Sequence, residues 1–426
     1  MRIRIEGKQP LRGTYLASGN SNAAIALIAA SLLSDAPVTL RNVPNTVSVG
    51  VMLEISAALG ASITHGESHG TVTLHTPHVV ARTLKREYSM ALGGTLLFIA
   101  PILARRRQAR LELDYAVSRI HPHLTALRDL GMDVRVSGTT VDVNAITWQA
   151  REVVLTQMSV TATAIVAMLA VALGKHTVIY NAASEPHIVD LLTLLGQFGA
   201  QIEGIGSNVV TIHGHGGAEY VCAPAALTIS PDHIEVGSIA AIAALTGSRL
   251  SIEGARARDL RLIAKVYERL GVHLELDDDA VHVPRHERFM PSVREEDVDV
   301  SVESAPWYGF PSDLIAMATV IATQSHGTTL IHEKLFPNRL LFVDKLNSMG
   351  AQIVLCDPHR AIVVGGTPLQ ADYLDNPDVR VGLALLGAAL CAEGESVIDT
   401  AEAFDRTFDH VLDKLVALGA RIRRGE

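Results

Sequence analysis

Three arginines stand at three successive helix entrances in the C-terminal half of this 426-residue chain. Asn338 and Arg339 precede the helical part of KLFPNRLLFVDKL, Asp378 and Arg380 open DNPDVRVGLALLGAAL, and Asp405 and Arg406 open TAEAFDRTFDHVLDKL. A cation at a helix N-terminus works against the backbone dipole, so three in succession point to a shared anion site. Singly, each also fits a surface ion pair of little worth. Asp313, in APWYGFPSDLIAMATVIA, begins an apolar helix either as a carboxylate that takes a proton or as an ordinary N-cap.

The N-terminal half offers hydroxyls and amides in place of cations. In YLASGNSNAAI, Ser18, Asn20 and Ser21 can each cap the helix that follows, leaving N–H groups where anions bind well, yet the turn has no lysine or arginine. Ser159 and Thr161 in LTQMSVTATAIVAML put hydroxyls beside another helix start. Glu185 precedes a Pro-started helix in NAASEPHIVDLL. These three are caps by default. His121 and His123 in SRIHPHL have a spacing that holds metal on a strand, but no third ligand is identifiable and no metal or cofactor is expected.

Composition bounds what these groups serve. Lys+Arg 36 against Asp+Glu 45 gives a net charge of −9, which argues against general nucleic-acid binding. The one dense basic cluster, Arg105 to Arg107 with Arg110, reads as a solvated helix end. Cys222, Cys356 and Cys391 form no CxxC pair, so a reducing, cytoplasmic compartment is expected. The opening MRIRIEGKQPLRG alternates like a strand and lacks the apolar stretch of a signal peptide. Runs such as SIAAIAAL and LALLGAALCA are too short to span a bilayer and read as buried helices.

A repeat organises the whole chain. Apolar-Gly-apolar punctuation recurs at Gly60, Gly131, Gly199, Gly271, Gly350 and Gly419, at intervals of 68 to 79 residues. Each glycine closes a helix and precedes an alternating stretch, where a left-handed residue lets the chain reverse. The units between are α/β modules of two helices and several strands, too long for a solenoid repeat. Six modules pack best as two groups of three. The predicted domains are residues 20–230 and residues 1–19 with 231–426, joined by two crossings that form a hinge, with a ligand cleft expected there.

The repeat, together with SGNSNAAI, SEPHIVD, PDHIEVGS, FPSD, PNRLLFVDKLNSMGA, DVRVGLAL and DRTFDHVLDKLVALGA, resembles the enolpyruvyltransferase family over essentially the whole chain. The resemblance implies two inside-out α/β barrel domains, each of three βαβαββ units, closing on substrates across the hinge. It implies that the vinyl group of phosphoenolpyruvate is protonated, that a substrate hydroxyl adds at C2, and that phosphate leaves. By match, Asp313 stands where the family has its hydroxyl-activating aspartate. Arg339, Arg380 and Arg406 stand where it holds the phosphoenolpyruvate anion, and Asp378 where it has an acidic partner. The partners implied are small molecules, phosphoenolpyruvate and a hydroxyl acceptor, with no nucleic acid or membrane and a monomer or weak homo-oligomer.

The departures concentrate in the N-terminal half. The family's S-G-A-K-N corner has Ser21 in place of lysine and keeps Asn22; a hydroxyl gives phosphate a contact about half as strong. The family's loop cysteine and its arginine five residues on are replaced by Asp114 and Arg119, if one residue is deleted after Arg119. Without the gap, Leu113 and Ser118 fill those slots; the gapped reading restores both functional groups. As a proton donor Asp114 would need a raised pKa. Gln157 replaces a lysine and Thr161 a glycine near Ser159, Gly93 replaces an arginine, His233 an arginine, and Trp307 a histidine. With pyrophosphate-facing cations gone, two enzymatic readings stand: transfer to the hydroxyl of UDP-N-acetylglucosamine, or a specialised relative using another acceptor or no phosphoenolpyruvate. A non-catalytic binder is the third, and Asp313 with the three arginines speaks against it, since a mere binder has no use for a base.

Overall fold

The computed structural model describes residues 1–218, 223–291, 300–375 and 379–425. Asp378 therefore lies outside the described residues, and of Arg380 only the backbone is described. Helices Ser21–Ser31, Val160–Leu173, His233–Leu245 and Ile315–Gln324 carry Ala, Ile, Leu or Val on every face, and a helix without a polar face has to be enclosed. All four are buried along almost their whole length. Helix Ala257–Arg269 is the opposite case, burying one stripe of Asp259, Leu260, Ile263 and Tyr267 and leaving residues such as Arg258 and Lys265 exposed. Strands bury alternate residues, as in Gln108–Glu112, where Ala109 and Leu111 point inward. Helices thus form the interior and sheets the skin, the inside-out arrangement.

The described strands make six four-stranded sheets of one pattern. Trp148–Val154 runs parallel to Gly174–Tyr180, with the inner helix Val160–Leu173 as the crossover that a parallel pair requires. Val209–His213 then pairs antiparallel with Gly174–Tyr180 and with Gln201–Glu203. The six repeat glycines all adopt the left-handed region, with φ from +85° at Gly271 to +110° at Gly60, so each is the residue that reverses the chain after a module's second helix.

Two compact units result, one of Met1–Ser18 with the chain from Pro231 onward, the other Gly19–Ser230. In the first unit, Arg2–Glu6 pairs with both Glu395–Ile398 and Arg421–Gly425, and Arg12–Leu16 lies parallel to Arg249–Glu253. In the second, Ala225–Thr228 lies parallel to Val38–Arg41. Each unit has its own hydrophobic core. Among the described residues no helix is long and apolar enough to cross a membrane.

Two expectations are corrected. The His121–His123 stretch is not a strand; it opens helix His121–Asp129, where residues two apart point in different directions, so the H-x-H pair converges on nothing. The basic cluster is not simply a solvated end. Arg105 reaches inward and donates from Nη1 to the carbonyls of Ser34 (3.0 Å) and Thr76 (2.6 Å), tying loops of its unit together.

Candidate active site

Pro311 presets the backbone of the short 3-10 turn Ser312–Leu314, from which helix Ile315–Gln324 plunges into the core. Asp313 is the last charged residue before that apolar helix. Its side chain makes no cap hydrogen bond. Its Oδ1 instead meets Arg339 Nη1 at 3.2 Å, with Asp313 41% exposed and Arg339 only 11%. No partner of Asp313 Oδ2 lies among the described residues. The acid therefore keeps one oxygen free to take a proton while a guanidinium holds the other.

Arg339 is positioned from three sides. It follows Asn338, which sits in the left-handed region at φ +67°. Its guanidinium lies over the Phe336 ring, 4.2 Å from the centroid, and Nη1 also donates to Ser312 Oγ. Ser312 Oγ donates onward to Glu333 Oε2 at 2.5 Å. Ser312, Asp313, Ile315, Ala316 and Arg339, with Val381 at the start of helix Val379–Cys391, line a small recess open to solvent. Arg406 ends the 3-10 turn Ala401–Arg406, exposed, in an element packed against helix Val379–Cys391, with no ion pair among the described residues. The recess thus offers a fixed cation, an open carboxylate and a nearby solvated cation, a set suited to an anion beside a hydroxyl.

Near this turn, the start of helix His233–Leu245 is rich in buried charge. Asp232 caps it through the N–H groups of Ile234 (2.9 Å) and Glu235 (3.2 Å), and burial together with Glu235 pushes its carboxyl up to about 7. Glu235, its own carboxyl raised by burial, accepts from Tyr15 Oη (2.5 Å), Ser18 Oγ (3.1 Å) and Lys414 Nζ (3.3 Å). Ser18 is thus absorbed into this network, and Asn20 is the cap of helix Ser21–Ser31. Trp307 is buried with its ring edge-on to His233, centroids 5.1 Å apart, and beside Tyr308 at 4.9 Å. The two positions that depart from the family here touch each other.

In the other unit, Ser21 is buried with Oγ 2.9 Å from Thr46 Oγ1, and Asn22 is exposed on the first turn. Ser159 caps helix Val160–Leu173 by accepting from Ala162 N at 3.2 Å. Thr161 Oγ1 meets His123 Nε2 at 2.6 Å, and burial pushes the imidazole down to about 4, so His123 is neutral at pH 7. Glu185 precedes Pro186 without a side-chain cap bond. Asp114 is exposed and accepts from Arg86 Nε at 2.9 Å, while Leu113 is buried in the core. Arg119 stands 5.9 Å over the Tyr115 ring. At Gly93 a Cβ would meet nothing within 4 Å, so the missing arginine is not a matter of space among the described residues.

Sequence reasoning passed over Glu333, Ser312 and Phe336. One signal was present: strand Thr328–His332 turns Thr329 and Ile331 inward, and the period of two carries that face to Glu333. A carboxylate at an inward strand position implies waiting donors.

Comparison with known proteins fits this geometry. The family model described as EPSP synthase (3-phosphoshikimate 1-carboxyvinyltransferase) matches residues 5–415. The chain is 39% identical over 428 residues to UDP-N-acetylglucosamine 1-carboxyvinyltransferase of Treponema pallidum (strain Nichols), covering 98% of each chain. It is 38% identical over 424 residues to the enzyme of that name from Bradyrhizobium diazoefficiens, covering 99% of this chain and 97% of that one. Among solved structures, the enolpyruvyl transferase NikO from Streptomyces tendae has the same fold, with a TM-score of 0.89 at 24% identity over 99% of this chain and 98% of that one. Matched along nearly its whole length by the family model and by relatives of equal extent, the chain belongs to the EPSP synthase family of enolpyruvyl transferases.

Proposed function

We propose that the protein transfers the enolpyruvyl group of phosphoenolpyruvate to a substrate hydroxyl in the cytoplasm. The observation that carries this reading is the Asp313–Arg339 pair at the mouth of its recess, 3.2 Å apart, with no partner of Asp313 Oδ2 among the described residues. Arg339, with Arg380 and Arg406, holds the phosphate and carboxylate. A proton adds to the vinyl carbon C3, for which Asp114 is the assigned donor. The acceptor oxygen bonds to C2 as Asp313 takes its proton, the C2–O bond to phosphate breaks, and loss of a proton from C3 restores the vinyl group. Asp378 is assigned as an acidic partner to the arginines, and Asn22, Ser21, Arg119, Ser159, Thr161, Glu185 and Trp307 as contacts to substrate.

UDP-N-acetylglucosamine, which is part of the names of the Treponema pallidum and Bradyrhizobium diazoefficiens relatives, is the first acceptor to try. A second reading, an acceptor with less negative charge, is favoured by the neutral or aromatic residues at Ser21, Gly93, Gln157 and His233. The test is phosphate release from phosphoenolpyruvate with a panel of hydroxyl acceptors, with Asp313→Asn as control. Loss of a general base lowers kcat by ~10²-fold or more. Undiminished turnover by Asp313→Asn refutes the assignment of the base, and no phosphate release with any acceptor refutes the transfer.

A further inference from the structure

Glu333 is completely buried, yet its carboxylate is saturated with donors. Oε1 accepts from Ser304 Oγ (2.9 Å), Leu335 N (2.8 Å) and Phe336 N (3.0 Å), and Oε2 from Ser312 Oγ (2.5 Å). Two of these partners hold Arg339 directly. Ser312 Oγ receives Arg339 Nη1, and Phe336 presents its ring to the guanidinium. Ser312 also immediately precedes Asp313, so one carboxylate fixes the backbone under the base and the two supports of the cation. The effect of Glu333 reaches Arg339 through Ser312 and Phe336.

A buried carboxylate with four hydrogen bonds is a costly way to fasten a loop, because neutral groups would serve without the desolvation. What the charge adds is a direction for the hydroxyl of Ser312. A carboxylate only accepts, so Ser312 must donate to it and turn a lone pair toward Arg339. Nη1 is then held by a polarised acceptor. A glutamine at 333 can offer its amide N–H to Ser312 and reverse that polarity.

We propose that Glu333 is a positioning residue for enolpyruvyl transfer, setting the orientation of Arg339, and through it the charge environment of Asp313, by way of Ser312 and Phe336. The inference rests on the function proposed above. Its test is Glu333→Gln, with Ser312→Ala and Ser312→Thr as companions. KM for phosphoenolpyruvate and the pH profile of kcat/KM are measured by phosphate release, and the stabilisation of each protein by phosphoenolpyruvate alone by thermal shift. Glu333→Gln is expected to raise KM for phosphoenolpyruvate about tenfold, as for a charge-assisted contact, with KM for the acceptor within twofold. The acid limb of the profile is displaced from that of the wild-type protein. Ser312→Ala gives the same pattern in smaller measure, and Ser312→Thr, which keeps the hydroxyl, restores it.

A purely structural role lowers the melting temperature and the active fraction, hence kcat, and moves neither KM nor the acid limb. That pattern overturns the inference. Should Glu333→Gln not fold, Ser312→Ala decides by the same two readouts. Wild-type protein that turns over phosphoenolpyruvate while both variants match it in KM and pH profile overturns the inference alone. Wild-type protein that neither binds phosphoenolpyruvate nor releases phosphate overturns the proposed function and this inference with it.

Discussion

His123 makes stability depend on pH in a way that can be calculated and isolated. Its imidazole is 9% exposed, and burial lowers its pKa from 6.5 to about 4. Between those values the unfolded chain binds a proton that the folded protein refuses, so stability falls as pH falls from 6.5 toward 4 and is regained above. At full protonation of both states the difference is about 3 kcal/mol, and at pH 5.5 it is about 1.4 kcal/mol. The perturbation is His123→Gln, which removes the titration.

The two tryptophans fall one in each unit, and Trp148 is buried in the one that holds His123. Denaturant unfolding followed by Trp148 fluorescence, in a Trp307→Phe background, therefore reports on the right unit. From pH 7.5 to 5.5 the protein with His123 should lose about 1.4 kcal/mol more than His123→Gln. Asp232, whose buried carboxyl has the opposite sign of dependence, lies in the other unit and is common to both proteins. Parallel pH profiles for the two proteins would refute the claim that His123 is held neutral.

Two further outcomes separate alternatives left by the sequence. Asp114→Asn should lower phosphate release by ~10²-fold with little effect on stability, since its partner Arg86 is exposed, whereas Leu113→Ala should cost about 2–4 kcal/mol in denaturant unfolding. The reverse pattern would favour the ungapped loop. Gly93→Arg should fold with an unchanged melting temperature, because its side chain enters open space, and should shift acceptor preference in the phosphate-release panel toward diphosphates. Precipitation of this variant, or an unchanged preference, would count against the second reading of the acceptor.

The fold was legible where local chemistry repeats. Six helix-closing glycines mark six modules because the φ they adopt is closed to most other residues. Helices apolar on every face announced an interior position. Arg339 drew notice as a cation at an expected helix entrance; it stands instead in the turn ahead of helix Val343–Ser348, and its partner Asp313 lies 26 residues earlier in sequence and 3.2 Å away in space. Contacts set by tertiary packing were not legible. Nothing near Arg105 in sequence foretells the carbonyls of Ser34 and Thr76, and nothing near His123 foretells Thr161 against it. Glu333 was hidden by the ordinary prior that a charge after a strand faces water.

The two crossing strands have a consequence for synthesis on the ribosome. Gly19–Ser230 is a continuous run of chain, so that unit can fold once residue 230 has emerged. The other unit has to wait. Arg2–Glu6 finds its partners in Glu395–Ile398 and Arg421–Gly425, made long after it. Until those strands are made Arg2–Glu6 lacks both its neighbours, and the unit closes only when it meets residues polymerised some four hundred steps later.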